Sequence, residues 1–347
     1  MKRLLLVLAA ALLLPGAAVG AACSPLNCAP SQFSLAHGTL LGFRAAANKP
    51  VTVVDLKTGA TKWKLPAGIT GRDLLVHQDG GTLVWYDAAS GAKQYEVALP
   101  SAEYRLAGVS QDGTRAVAFD STGAVIVSRT GTRTLELPHA TQWQFDALLG
   151  NHLFLIRFLQ TGGYQVRLYH LDTGKLDAQP LKDPHESGTI WGSPFSRLAS
   201  PDGRYLFTLY IGSNGGAMIH ELDLKAATAR CIDLPGTGDY NSATSWGLAL
   251  SRSGQTLHLV SPGYGRVVAI DVRTRKVTDA FRIGLPYWAV VSTTASLSPD
   301  GTKLAIANGE AVAVIDLAAR KVEMRAAAKN AIAVGYSPDG TTLWKLS

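Results

Sequence analysis

An all-β fold built from repeated four-stranded units is what this 347-residue sequence predicts, and three observations carry the prediction. Thirty-five glycines and sixteen prolines are spread along the chain, which demands many turns and favours short strands over long helices. Two short turn patterns alternate along it. The acidic or equivalent positions of the second pattern fall near 55, 87, 128, 172, 223, 271 and 316, a spacing of about 32 to 51 residues that marks an internal repeat.

The first pattern is an Asp-Gly turn followed by a β-rich run. It stands at Gln111-Asp112-Gly113, Ser200-Pro201-Asp202-Gly203, Ser298-Pro299-Asp300-Gly301 and Ser337-Pro338-Asp339-Gly340, with degenerate copies at His37-Gly38, Gly150-Asn151 and Arg252-Ser253-Gly254. Asp suits the turn because its carboxylate accepts backbone N–H groups, and Gly because it accepts φ > 0. The second pattern is an apolar run that ends on an acidic residue before a Thr-Gly-type turn. It reads VTVVDLKTG from Val51, VRLYHLDTG from Val166, VVAIDVRTR from Val267 and VAVIDLAAR from Val312. Strand-like runs lie between, at 205–209, 256–260 and 304–307.

Each unit therefore supplies strands a and b around the Asp-Gly turn, then c and d around the Thr-Gly turn. Repeated four-stranded units of this length are blades of a β-propeller. The expected ring has seven blades, with eight as the alternative, occupying residues 32–347 as one domain. Residues 318–333 have helical propensity, but the repeat register makes them strand. Residues 331–336 and 342–346 read as strands a and b, while 39–44 reads as another b. One strand is spare, and the expected closure has the C-terminal strands completing the blade begun at the N-terminus, which hides open edges.

SPDGTKLAIANGEAVAVIDL from Ser298 resembles the repeat of the YVTN and WD-repeat-like propellers, the group that includes TolB-type periplasmic propellers. VTVVDLKTGATKWKLP from Val51, with Trp63, is instead similar to the repeat of pyrroloquinoline-quinone-type propellers. The resemblance spans residues 32–346, and its motifs form turns, so it implies fold far more than activity.

The N-terminus reads as an address. Lys2-Arg3 precedes an apolar run over 4–14, broken at Pro15-Gly16 and followed by small residues. That is the build of a secretory signal peptide over 1–22, and the run is too short to span a bilayer. The expected location is periplasmic or secreted. Residues 23–31 form a linker with Cys23 and Cys28. Gly20-Ala21-Ala22-Cys23 resembles a lipobox without its aliphatic position, so Cys23 is a candidate for either lipidation or a disulfide to Cys28. A Cys28–Cys231 pair is the alternative if Cys23 is acylated; otherwise Cys231 reads as a buried apolar residue. Membrane attachment is expected only through a lipidated Cys23.

Charged residues make up 17% of the chain, with 33 basic against 26 acidic, below the roughly 25% of ordinary globular chains. No basic patch dominates, so nucleic acid is not an expected partner. Basic residues in or after the c–d turns, including Lys57, Arg129, Arg275 and Arg320, form a rim that neighbouring Asp residues partly cancel. No G-x-S-x-G elbow, H-E-x-x-H helix, P-loop or C-x-x-C spacing is present, so no catalytic residues, metal or cofactor are expected.

The d–a and b–c loops share one face of such a ring. Three successive d–a connections, 181–192, 235–246 and 284–290, are long or aromatic. They carry His185, Trp191, Tyr240, Asn241, Trp246, Tyr287 and Trp288 as candidate ligand-binding residues. His170 and His220 read as packing residues of c strands. The expected function is a monomeric, exported, non-enzymatic propeller that binds a protein partner or cell-envelope glycan through this face. The repeat resemblances imply two alternatives: a quinoprotein-like dehydrogenase or lactonase-like hydrolase, and an envelope-anchored scaffold.

Overall fold

The computed structural model describes residues 31–34, 40–44, 50–138, 142–159, 163–186, 188–212, 216–237, 246–262, 264–285, 294–307, 310–329, 331 and 333–346. Every regular element named among them is a β-strand. The first unit is β1 (Ser31–Ser34), β2 (Leu40–Arg44), β3 (Pro50–Asp55) and β4 (Thr61–Thr70). β4 is shared: residues 61–67 pair with β3, and residues 68–70 pair with β5 as the first strand of the second unit. β5 (Leu74–Asp79), β6 (Thr82–Asp87) and β7 (Lys93–Ala98) complete that unit.

Separate four-stranded antiparallel sheets follow. The third is β8 (Arg105–Val109), β9 (Arg115–Phe119), β10 (Ala124–Ser128) and β11 (Gly131–Leu135); the fourth is β12 (Trp143–Leu149), β13 (His152–Phe158), β14 (Tyr164–His170) and β15 (Lys175–Leu176). The fifth is β16 (Ser193–Ala199), β17 (Tyr205–Ile211), β18 (Gly216–Asp223) and β19 (Thr228–Thr237). The sixth is β20 (Gly247–Leu250), β21 (Thr256–Ser261), β22 (Arg266–Asp271) and β23 (Lys276–Arg282). The seventh is β24 (Thr294–Leu297), β25 (Lys303–Ala307), β26 (Ala311–Asp316) and β27 (Lys321–Ala327), and a hairpin of β28 (Ala333–Tyr336) and β29 (Leu343–Leu346) ends the chain.

The turn chemistry is the one the sequence dictates. Ser200 Oγ donates to Asp202 and accepts the Tyr205 amide at 2.8 Å, while Asp202 accepts the Arg204 amide at 3.1 Å. The same set recurs at Ser110-Asp112, Ser298-Asp300 and Ser337-Asp339. Gly203 has φ +71, the left-handed conformation such a turn requires. At the ends of strands c, Asp55, Asp87, Asp223 and Asp271 each accept turn amides. Residues 321–327 are strand despite their helical propensity, because a d strand has β26 to pair with.

The apolar core is not one mass but a series of layers between successive units. Val53 and Leu65 pack on Leu75 between the first two units, and Val76 and Trp85 on Ala116 and Val125 between the next two. Leu148 meets Val117 and Ile126; Phe207 and Ile219 meet Leu257 and Val268; Val260 meets Ile306 and Ala313. First strands of successive units lie side by side, β8 against β12 and β16 against β20 against β24 against β28. This is the radial build of a β-propeller.

Closure differs from expectation in its pairing. β28 and β29 form a strand ladder only with each other among the described strands, and β1–β4 is already four-stranded. The spare strand explains why: β2 pairs with β3 from Leu40↔Asp55 to Arg44↔Val51, occupying the edge that a C-terminal strand would otherwise take. The hairpin instead packs on the seventh unit through Val334, Tyr336 and Leu343. It reaches the first unit through Trp344, which lies against Gly59 of the β3–β4 turn.

Candidate functional site

The face between the fourth and fifth units carries polar residues where the other layers are mostly apolar. In the fifth sheet, alternate residues share a face. The register places Arg197, Thr208, His220 and Cys231 in one row across β16, β17, β18 and β19. The neighbouring row brings Met218 beside Asp233. Leu206, Tyr210 and Leu222 of this same face pack on Phe154, Tyr164 and Val166 of the fourth unit.

Arg197 crosses to the fourth unit and ion-pairs with Asp146, which is buried. Asp146 is the extra residue of a β-bulge in β12, where the register shifts between Phe145 and Ala147. A bulge re-aims a side chain, and here it delivers a carboxylate into an otherwise apolar layer. Burial pushes the Asp146 carboxyl up, and Arg197 pulls it back part of the way. Arg197 Nε and Tyr164 Oη are buried in the same layer with no hydrogen-bond partner among the described residues. Tyr210 packs edge-on to His220 at 6.0 Å.

The connection from β15 to β16 covers the outer end of this layer. It runs back along β14, with Leu181 N–H donating to Val166 O at 2.8 Å and Ile190 N–H to Tyr164 O at 2.8 Å. Between those two anchors the chain leaves the sheet and turns, held by Asp183. One Asp183 oxygen accepts the His185 amide at 3.0 Å, and the other accepts the Cys231 amide at 3.1 Å. A single carboxylate thus ties the connection to β19. Gly192 has φ +107, and a Cβ there would lie 2.5 Å from Ile211 O, so only glycine lets the chain re-enter β16 at this point.

The result is a cleft of about 370 Å³. Its base is His220, Cys231 and Met218; its sides are residues 182–186 and 188–191, Asp233, Gly212 and Gly216. Trp191 stands at the mouth, 58% exposed. His220 is 2% exposed, and burial with Arg197 nearby lowers its pKa to about 4, so it is a neutral imidazole at pH 7. Burial pushes the Cys231 thiol up to about 12, helped by Glu186, Asp183 and Asp233. It is therefore a protonated, weakly nucleophilic thiol. Burial also works to raise Asp183, but the two amide hydrogen bonds outweigh it and the net shift is downward. Among the described residues, no group of three or more His, Cys, Asp or Glu side chains converges to hold a metal ion.

Of the residues singled out from sequence, Trp191 lies at this cleft and His185 beside it, exposed, with its amide donating to Asp183. Trp246 belongs elsewhere: it is 3% exposed, packs on Tyr264 at 4.9 Å and fills the layer between the fifth and sixth units. A ring that closes an apolar layer presents no face to a ligand. Trp143 likewise is buried, its Nε1 donating to Pro138 O at 2.8 Å. Tyr240, Asn241, Tyr287, Trp288, Cys23 and Cys28 lie outside the described residues. Sequence reasoning passed over Asp183 and Asp233, and read His220 and Cys231 as packing residues rather than as parts of a site. The available signal was polar residues at inward positions of MIHELD and RCIDLP, in strands that otherwise alternate cleanly.

The basic rim is partly neutralised. Lys62 pairs with Asp55 at 3.6 Å, Arg275 with Glu221 at 2.8 Å and Arg320 with Asp279 at 2.9 Å.

No family model matches the chain, and no curated protein matches it in sequence. Solved structures do resemble it. Apo AztD from Citrobacter koseri aligns with a TM-score of 0.56 at 12% identity, over 86% of each chain. Hydrazine synthase from Kuenenia stuttgartiensis aligns at 0.51 and 15% identity, over 88% of this chain and 99% of that one. The Swd1 β-propeller domain (Cps50) of Myceliophteria thermophila aligns at 0.50 and 13% identity, over 83% and 97%. At such identities the likeness concerns the fold: the chain is a β-propeller.

Proposed function

We propose that this protein is an exported, non-enzymatic binding propeller whose ligand site is the cleft between its fourth and fifth units. The observation that carries the reading is the exposed Trp191 at the mouth of a cleft that the buried His220 also lines. An apolar pocket with a few convergent polar atoms suits recognition. His220 lines that cleft with no hydrogen bond to any described residue, which leaves its acceptor nitrogen to a ligand. Catalysis is disfavoured at the same place: the thiol is held protonated, and both Asp183 oxygens are committed to backbone amides.

Export rests on the charged, apolar and small-residue segments of positions 1–22. The partner favoured is a protein segment, because the cleft admits a side chain or two rather than an extended oligosaccharide. The test is cross-linking of the intact exported protein in the cell envelope, comparing wild type with Trp191→Ala. Specific adducts lost in the variant support the reading; adducts unchanged by it place the partner elsewhere on the propeller. The intact mass of the same material reads out cleavage near residue 22 and acylation of Cys23.

A further inference from the structure

Three carboxylates, Asp183, Glu186 and Asp233, line a cleft whose lining includes one cation, the exposed Lys182. The chain as a whole carries a formal net charge of +7, so this is an acidic pocket in a basic protein. Glu186 and Asp233 form no ion pair among the described residues. Arg230, the nearby guanidinium, alternates with Cys231 along β19, donates to Ala229 O at 2.8 Å and helps to lower the Asp183 carboxyl, but pairs with neither Glu186 nor Asp233 among the described residues. Arg197 is occupied by Asp146.

An acidic rim alone would be a solvated edge. The second observation is His220, 98% buried at the base of the cleft and without a hydrogen bond to any described residue. As a neutral imidazole it keeps one acceptor nitrogen and does not repel a cation. The apolar part of the lining is Leu181, Ile190, Met218 and Trp191. Carboxylates and an acceptor around an apolar shaft, with an indole face at the entrance, fit a cation carried on a methylene stem. The stem packs on the walls, the head receives the carboxylates, and Trp191 adds a cation–π contact.

We propose that the cleft recognises a primary ammonium on an unbranched aliphatic stem, the lysine side chain of a partner protein. This deepens the binding reading above and rests on it. The affinity is expected to fall with salt, because the rim carboxylates are exposed to solvent.

The test is titration of the full exported protein, followed by calorimetry and tryptophan fluorescence, with a capped Gly-Lys-Gly peptide. The same peptide carrying norleucine or Nε-acetyl-lysine, free putrescine and a chitin tetrasaccharide serve as comparison probes. The lysine peptide is expected to bind saturably, and the norleucine and acetylated peptides at least about tenfold more weakly. Glu186→Gln with Asp233→Asn should weaken the lysine peptide about tenfold while leaving the norleucine peptide unchanged. Putrescine binding as tightly as the peptide would replace the protein partner by a free amine. Equal binding of lysine and norleucine peptides would overturn the inference, as would indifference to the two carboxylates. Tetrasaccharide binding that Trp191→Ala abolishes, without any response to the lysine peptide, would overturn the ammonium but leave the cleft as the site. Failure of the cross-linking test with lysine-peptide binding intact would do the reverse.

Discussion

Arg197 holds the layer beneath the cleft together, and replacing it with Met has a calculable outcome. Methionine keeps most of the aliphatic stem and removes the guanidinium, leaving Asp146, whose side chain is 3% exposed, without its ion pair. Losing one partner of a buried pair typically costs about 3–5 kcal/mol. The carboxyl has one escape, which is to take up a proton. Relative to an ordinary aspartic acid with a pKa of about 3.9, that costs about 1.4 kcal/mol per pH unit, hence about 4 kcal/mol at pH 7 and about 1.5 kcal/mol at pH 5. These are upper values, because burial already raises the carboxyl in the wild type.

The sign follows from linkage. A folded-state pKa raised above the unfolded one gives stability that is present at low pH and lost as pH rises. Arg197→Met should therefore be most damaging at pH 7 and progressively less so towards pH 5. Urea unfolding at pH 5, 6 and 7, with coincident circular dichroism and fluorescence transitions, measures this. Asp146→Asn added to Arg197→Met should abolish the pH slope. A loss below about 1 kcal/mol at pH 7, or a loss that does not shrink on acidification, would refute the buried-pair account.

Ser200→Ala removes both the donor to Asp202 and the acceptor for the Tyr205 amide. It should cost about 1 kcal/mol in the same urea assay, because a part-buried N–H loses its acceptor. Gly335→Ala should disrupt the terminal hairpin, since a Cβ there would fall 1.9 Å from Trp344 Cζ2. The expected readout is a red-shifted tryptophan emission with about 1–3 kcal/mol lost, both relieved when Trp344→Leu is added.

The turns were legible because their chemistry is local. Serine, aspartate and glycine within four residues satisfy one another, so Ser298-Pro299-Asp300-Gly301 announces its hydrogen bonds without any knowledge of the rest of the chain. The closing strand was not, because Leu40–Arg44 and Leu343–Leu346 present similar apolar edges, and the choice between them as the neighbour of β3 is three-dimensional. One aromatic candidate, Trp246, parted from Trp191 for a related reason. Trp191 and Trp246 both end long d–a connections, yet one re-enters its sheet past a strand that leaves it outside, and the other meets Tyr264 and is covered. Asp183 was the least visible of all, since its role depends on a β19 amide 48 residues away.

A propeller tolerates such a departure because its stability is divided among the layers. In a repeat architecture each unit interacts mainly with its neighbours, and total stability is close to a sum of interface contributions. The apolar layers at Trp85, Phe207 and Val260 do not depend on what fills the junction between the fourth and fifth units. Polar groups there weaken one layer without unravelling the rest. Bulges at the matching place of β8 and β16 make the bend itself a feature of the repeat, so what marks this junction is the carboxylate carried on the bulge and the inward His220. Buried charge alone does not define a site, since Glu221 and Arg275 pair across the next junction. The binding proposal rests instead on the cleft that His220 and Trp191 line together.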